Sequence, residues 1–206
     1  ILSNRPTKFE ECLTFGRLKF NSYYRNIILN LLNAFPLDMV MKDGTPFWKS
    51  PKRPPMALDF DPEDVNHYNF VLNTALLYAA IFKVDTNGME KDTAAVKKYL
   101  TTVEVPAFVP KNKKIETDPN VKNTEPEPVD ENELEAWASK LAAVSENLGD
   151  FPLAPQDFEK DDDSNHHIDF VTACSNLRAL NYTIPVVDRL ETKRIAGKII
   201  PAIATS

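Results

Sequence analysis

Asp161, Asp162, Asp163, His166 and His167 place hard and borderline metal ligands within one short stretch, so a cation site is the first chemistry to test. A calcium loop starting at Asp161 would need glycine at its sixth position and glutamate at its twelfth, where His166 and Thr172 stand. A zinc pair on one helical face wants histidines about four apart, whereas adjacent ones point roughly 100° apart. The pattern instead suits a helix start, with Asp163 or Ser164 as cap and the acidic side chains facing the positive end of the dipole. No metal-binding residue is therefore assigned.

Cys12 and Cys174 are the two thiols. A reactive cysteine needs its thiolate stabilised by a base, a cation or a helix N-terminus. Both fall mid-helix among apolar neighbours, where a thiol behaves as a small hydrophobe, so both are read as core. The glycines, Gly16, Gly44, Gly88, Gly149 and Gly197, form no phosphate-cradling loop. Arg189, Lys193, Arg194 and Lys198 could clamp an anion, but a solvated charged face is the simpler reading. Catalytic, cofactor-binding and metal residues are all expected to be none.

The elements that carry these residues are mostly helices. Thr7 and Glu10 have capping-box spacing, and Phe9, Cys12, Leu13, Phe20, Tyr24, Ile27, Ile28, Leu31 and Leu32 follow as the stripe of one long helix ending before Pro36. Residues 36–61 hold Asp43-Gly44, Phe47-Trp48 and several prolines, an irregular segment pinned by aromatics. Asp61-Pro62 predicts the next helix start, with Val65, Tyr68, Val71, Leu72, Ala75, Leu76, Ala79 and Phe82 on its apolar face. A shorter helix carries Ala95, Val96, Leu100 and Val103.

Pro106 and Pro110 extend the chain over 104–115. Between Glu116 and Glu135 eight acidic residues face one lysine, so 116–129 is expected to be a mobile loop. Asp130 then caps a helix expected to bury Leu134, Trp137 and Leu141. After a Pro-containing connection at 149–157, a last patterned helix carries Ile168, Phe170, Val171, Cys174, Leu177 and Tyr182. No internal repeat is read.

The totals bound the class. In 206 residues, 43% are apolar, enough for a core, and no run approaches the roughly 18 apolar residues that span a bilayer. A net charge of −6 repels a phosphate backbone overall, which argues against nucleic acid as a partner. Two unpaired-looking cysteines without a secretory signal favour a reducing, intracellular compartment. The start at Ile1 and the stop at Ser206 beside an apolar run suggest an excised piece.

Phe47-Trp48-Lys49-Ser50-Pro51-Lys52-Arg53 resembles the Phe-Trp-x-x-x-Lys-Arg segment of ubiquitin-activating enzymes. The run from Asp157 to Phe170 is similar to their segment re-entering the adenylation domain. Ser175-Asn176-Leu177-Arg178-Ala179 and the run Ala196 to Thr205 follow in the same order and spacing. These last two motifs are shared in outline with activating enzymes of related modifiers, and the Phe47–Arg53 segment is closer to the ubiquitin type.

The resemblance implies a mainly α fold. Residues 1–155 would be a partial second catalytic-cysteine half-domain, irregular and helical, with the acidic loop at about 116–129. Residues 156–206 would be a helical segment returning to an α/β adenylation domain, with a hinge-like connection near 144–157. It also implies a parent that adenylates the ubiquitin C-terminus with ATP and magnesium, forms a cysteine thioester and serves ubiquitin-conjugating enzymes in cytoplasm and nucleus. The family's nucleophile lies in a Cys-Thr motif this chain lacks, so no catalytic or nucleotide-binding residue is carried over. A non-enzymatic helical adaptor is the alternative.

Overall fold

The computed structural model describes residues 5–111, 131–146 and 153–204. They form a mainly helical body, and the one β pairing among them is an isolated Val40–Pro46 bridge. The expected mobile loop at 116–129 and the expected cap Asp130 lie outside the described residues.

The long first helix is present but has three parts: α1 (Phe9–Phe20), a π-helical stretch (Asn21–Asn26) and α2 (Ile27–Ala34). Its start is not the expected Thr7/Glu10 box. Glu11 reaches back instead, accepting from the Thr7 backbone N–H at 2.6 Å, the Thr7 hydroxyl at 3.2 Å and the Lys8 N–H at 3.3 Å. Moving the cap one residue along keeps Phe9, Cys12, Leu13, Gly16 and Phe20 on the buried face.

The π stretch serves tertiary structure. Within its wider turn the Tyr24 carbonyl accepts from Leu58 N–H at 3.1 Å and from the side-chain amide of Asn181 at 2.9 Å. The Asn181 amide also donates to the Met56 carbonyl at 2.7 Å, while Met56 N–H donates back to the Asn181 carbonyl at 2.6 Å. Asn181 is fully buried, so one amide joins three distant stretches of chain.

Helix α3 (Val65–Phe82) begins three residues later than Asp61-Pro62 predicts. Asp61 folds its own turn by accepting from Glu63 N–H, and Asp64 is the cap, accepting from Asn66 and His67 N–H at 2.8 and 3.1 Å. Helix α4 (Thr93–Thr102) is capped by Asp92 and buries Val96 and Leu100 as its pattern requires. Helix α5 (Glu131–Glu146) does not bury its stripe: Leu134, Trp137 and Leu141 are 55%, 61% and 62% exposed. Amphipathicity shows that a face could be covered, and these three side chains stay largely open to solvent.

Helices α6 (His167–Asn181) and α7 (Arg189–Ala204) complete the order. α3 lies between α1 and α6, and Ala173 and Leu177 of α6 join the same core as Leu13, Phe20, Phe70 and Val71. That core therefore runs across position 155, where the sequence was divided.

Gly16 sets the α1–α3 distance. A Cβ there would stand 2.7 Å from the Val71 carbonyl oxygen and 3.2 Å from its Cγ1. Gly16→Ala is expected to cost about 1 to 2 kcal/mol net, overpacking exceeding the helix-propensity gain of about 1 kcal/mol. A denaturant titration showing an unchanged or higher midpoint would mean the helices part freely.

Candidate functional site

The acidic-histidine stretch folds as a structural lead-in to α6. The residue before the helix, His166, has φ 62°, and the N-terminal amide of His167 is capped by Asn165 Oδ1 at 2.9 Å. This replaces the expected cap at Asp163 or Ser164, because the left-handed turn at His166 brings Asn165 to the helix end. Asp162 accepts from the Ser164 amide and hydroxyl, and the Glu159 N–H donates to His167 Nδ1 at 3.0 Å. The His167 ring stacks on Phe158 at 5.5 Å.

Asp163 is released to make ion pairs. It accepts from Arg189 Nη2 at 2.9 Å and Lys193 Nζ at 3.3 Å, while Arg189 Nε donates to Asp169 at 2.7 Å. These cations hold the Asp163 carboxyl below the ordinary carboxylate range, the Arg189 hydrogen bond contributing most. Lys160 does the same for Asp161. Arg189 and Lys193 are therefore tied to carboxylates, where a freely solvated face was expected, and Arg194 pairs with Glu191.

Both thiols lie in or against the core. Cys12 is fully buried, and burial, helped by Glu11, pushes it up to about 12. Cys174 is partly rather than fully covered, since its part of α6 borders solvent, yet burial still raises it. Little thiolate forms at neutral pH in either place.

Phe47-Trp48 closes the end of α2. The Phe47 ring stacks on Phe35 at 4.6 Å, Lys52 sits 4.3 Å over Phe47, and Trp48 Nε1 donates to the Phe35 and Pro36 carbonyls at 3.0 and 3.2 Å. The aromatic pin expected from sequence is thus a helix stop, built by an indole N–H satisfying terminal carbonyls.

His67 and Asn181 carry weight that the pattern did not assign them. His67 is buried, accepts the Asp61 N–H on Nδ1 at 3.0 Å and packs its ring 4.7 Å from Phe20. Its position six residues after a turn-forming Asp-Pro pair was the available signal.

A family profile described as "Ubiquitin-activating enzyme, SCCH domain" matches residues 1–193. The chain belongs to the ubiquitin-activating enzyme family. It is 43% identical over its whole length to Ubiquitin-like modifier-activating enzyme 6 of Homo sapiens and to Ubiquitin-activating enzyme E1 1 of Schizosaccharomyces pombe. It is 41% identical to Ubiquitin-like modifier-activating enzyme 1 of Homo sapiens, again over all of the chain. The chain covers 20%, 20% and 19% of these relatives, about a fifth of their length. The mainly α fold, the family and its cysteine-domain segment are thus as the motifs implied. Among the described residues no helix is long and apolar enough to cross a membrane.

Burial pushes the His67 imidazole below its ordinary value, outweighing Asp64 and Asp61. With the folded value depressed, the unfolded chain takes the proton more readily. Its contribution is therefore complete above about 6.5 and is lost as pH falls from there through the folded value. Thermal midpoints measured from pH 7.5 to 5.0 should fall less steeply in His67→Gln than in the parent chain; equal slopes would remove His67 from the effect.

Proposed function

We propose that this chain is the structural body of the second catalytic-cysteine half-domain of an enzyme that charges ubiquitin or a ubiquitin-like modifier. The parent adenylates the modifier C-terminus with ATP and magnesium, forms a cysteine thioester and passes the modifier to conjugating enzymes in cytoplasm and nucleus. The observation that carries this reading is end-to-end similarity to ubiquitin-activating enzymes in a chain whose two thiols are packed against its core. A thioester relay needs a thiolate that can meet an acyl adenylate, and neither position supplies one.

The residues present do not fit a nucleotide and its magnesium. The glycines form no phosphate loop, and Arg189 and Lys193 are engaged by Asp161, Asp163 and Asp169. Nucleotide and nucleophile are therefore assigned to the rest of the parent, and no step is routed through this chain. Residues 1–155 would hold the cysteine-bearing segment. Residues 156–206 would lead back to the adenylation domain, α6 remaining seated on α3.

The test is a non-reducing gel for a thiol-sensitive ubiquitin adduct. The chain alone, with ATP and magnesium, is expected to form none. A full-length parent carrying Cys12→Ala and Cys174→Ala is expected to keep charging while losing about 1 to 3 kcal/mol of stability. An adduct on the chain alone, or loss of charging in a demonstrably folded double variant, would place the nucleophile here.

A further inference from the structure

Thr45-Pro46 and Ser50-Pro51 are the two places where a hydroxyl residue precedes proline in this chain. Proline carries no N–H, so it suits a protein kinase whose cleft offers the residue after the acceptor an apolar surface and asks it for no hydrogen bond. Ser50 has a second mark of such a substrate. Arg53 stands three residues on, in Ser50-Pro51-Lys52-Arg53, whereas Thr45 has Trp48 at that distance. Four residues in order are a weak signal, and the structure separates the two positions.

Ser50 is open to a second protein. Phe47 is buried and Trp48 half-buried on one side, Pro55 and Leu58 are buried on the other, and every residue from Lys49 to Pro54 between these anchors is exposed. Ser50 stands in a turn closed by one hydrogen bond, from Lys52 N–H to the Lys49 carbonyl at 2.7 Å. Its hydroxyl has no hydrogen-bond partner among the described residues. Opening this turn into a kinase cleft therefore breaks one bond and uncovers no core. Thr45 is the internal contrast. Its hydroxyl donates to Asp43 Oδ1 at 2.7 Å, its N–H donates to the same oxygen at 3.0 Å, and its carbonyl accepts from Met41 N–H at 2.8 Å. Pro46 beside it pairs with Val40, and Phe47 is stacked on Phe35. Presenting Thr45 to a kinase would undo these contacts together.

The same turn supplies cations for a phosphate. Lys49, Ser50 and Lys52 line one hollow of about 220 Å³, and Lys52 Nζ rests 4.3 Å over the Phe47 ring. Asp43, the carboxylate in that lining, is engaged by the Thr45 hydroxyl and N–H. A phosphoserine carries about −1.5 to −2 charge at neutral pH and three acceptor oxygens, which two ammonium groups can match. For Lys52, moving from the ring face to a phosphate exchanges a cation–π contact for a charge-assisted hydrogen bond, the stronger of the two at an exposed site.

We propose that Ser50 is a phosphoacceptor for a proline-directed protein kinase, recognised through Pro51 and Arg53, and that Lys49 and Lys52 hold the phosphate. Ser50 Oγ attacks the γ-phosphorus of kinase-bound ATP. The new O–P bond forms as the bond from that phosphorus to the β,γ-bridging oxygen breaks, the hydroxyl proton passes to the kinase's carboxylate base, and ADP leaves. Lys52 then turns from the Phe47 ring to the phosphate. The modification thereby acts on a contact at the end of α2 and leaves the helical core as it is. It is independent of which modifier the parent charges.

The test incubates the full chain with a cyclin-dependent kinase, ATP and magnesium, and maps the product by mass spectrometry. Phosphate is expected on Ser50 and not on Thr45, and Ser50→Ala should remove it. Arg53→Ala should slow the reaction by about tenfold, the loss of one charge-assisted pair with the kinase. An unmodified Ser50, a Thr45 modified as fast, or an unchanged rate in Arg53→Ala overturns the site. 31P spectra of the phosphorylated chain across pH test the rest. The second ionisation of the phosphate, about 6 when free, should lie lower than in a phosphorylated chain carrying Lys49→Ala and Lys52→Ala. Equal values in the two chains would overturn the holding role of the lysines.

Discussion

Replacing Asn181 with aspartate should destabilise the chain more than replacing it with alanine, although aspartate is the closer in size. Alanine removes one donor group from the buried Tyr24 carbonyl and the partly buried Met56 carbonyl and leaves a small void, together about 2 to 4 kcal/mol. Aspartate fills the void but sets a second acceptor against both carbonyls at 0% exposure. Ionised, it sets an uncompensated charge against both carbonyls; protonated, its single O–H serves only one of the two carbonyls that the amide bridges, so its cost should exceed alanine's by about 1 kcal/mol or more. Arg178 Nη1, 3.4 Å from Oδ1, would still meet an oxygen in aspartate but none in alanine, so this contact favours aspartate and the expected order holds against it. Chemical unfolding of the two variants decides it. An aspartate variant as stable as alanine would mean that the π stretch is held by packing, not by this amide.

Much of this architecture was legible because helical stripes are long-range averages. The faces that carry Phe9 to Ile28, Val71 to Phe82 and Ile168 to Leu177 needed only hydrophobic spacing to be found, and their central residues are buried, whereas Ile27 and Val65, expected on the same stripes, are 48% and 63% exposed. Boundaries were less legible, since a cap is decided by one side chain among several candidates. Thr7, Asp61 and Asp163 all have suitable chemistry, yet Glu11, Asp64 and Asn165 reach the amides. The π stretch had no apolar signature because its partners, Leu58 and Asn181, come from distant sequence.

The candidate site was legible mainly as an exclusion. Spacing showed that the acidic-histidine stretch lacks calcium and zinc geometry, and the structure shows what those side chains do instead: cap, turn and ion pair. The stripe of α5 is exposed where its pattern predicts burial, since a pattern gives a helix its apolar face but not a neighbour to bury it.

Phe20→Ala should be among the most destabilising single truncations in the chain, costing about 3 to 5 kcal/mol. Phe20 is fully buried where α1 passes into the π stretch, and four rings surround it: His67 at 4.7 Å, Phe60 at 5.1 Å, Tyr24 at 5.7 Å and Phe70 at 6.2 Å. These neighbours belong to the π stretch, the segment just before α3 and α3 itself, so collapse of one into the void would pull on the others. The site therefore relaxes poorly, and poor relaxation is what moves a truncation to the upper end of its range. Trp137→Ala is the matched comparison: a larger side chain is removed, but from a position 61% exposed, and the expected change is within about 0.5 kcal/mol. For a chain of this length each kcal/mol lowers the thermal midpoint by about 2 to 4 °C, so the two variants should separate by roughly 6 to 20 °C. Should Trp137→Ala unfold as early as Phe20→Ala, the α5 stripe would be part of the cooperative core, and its exposure would have to be reassigned.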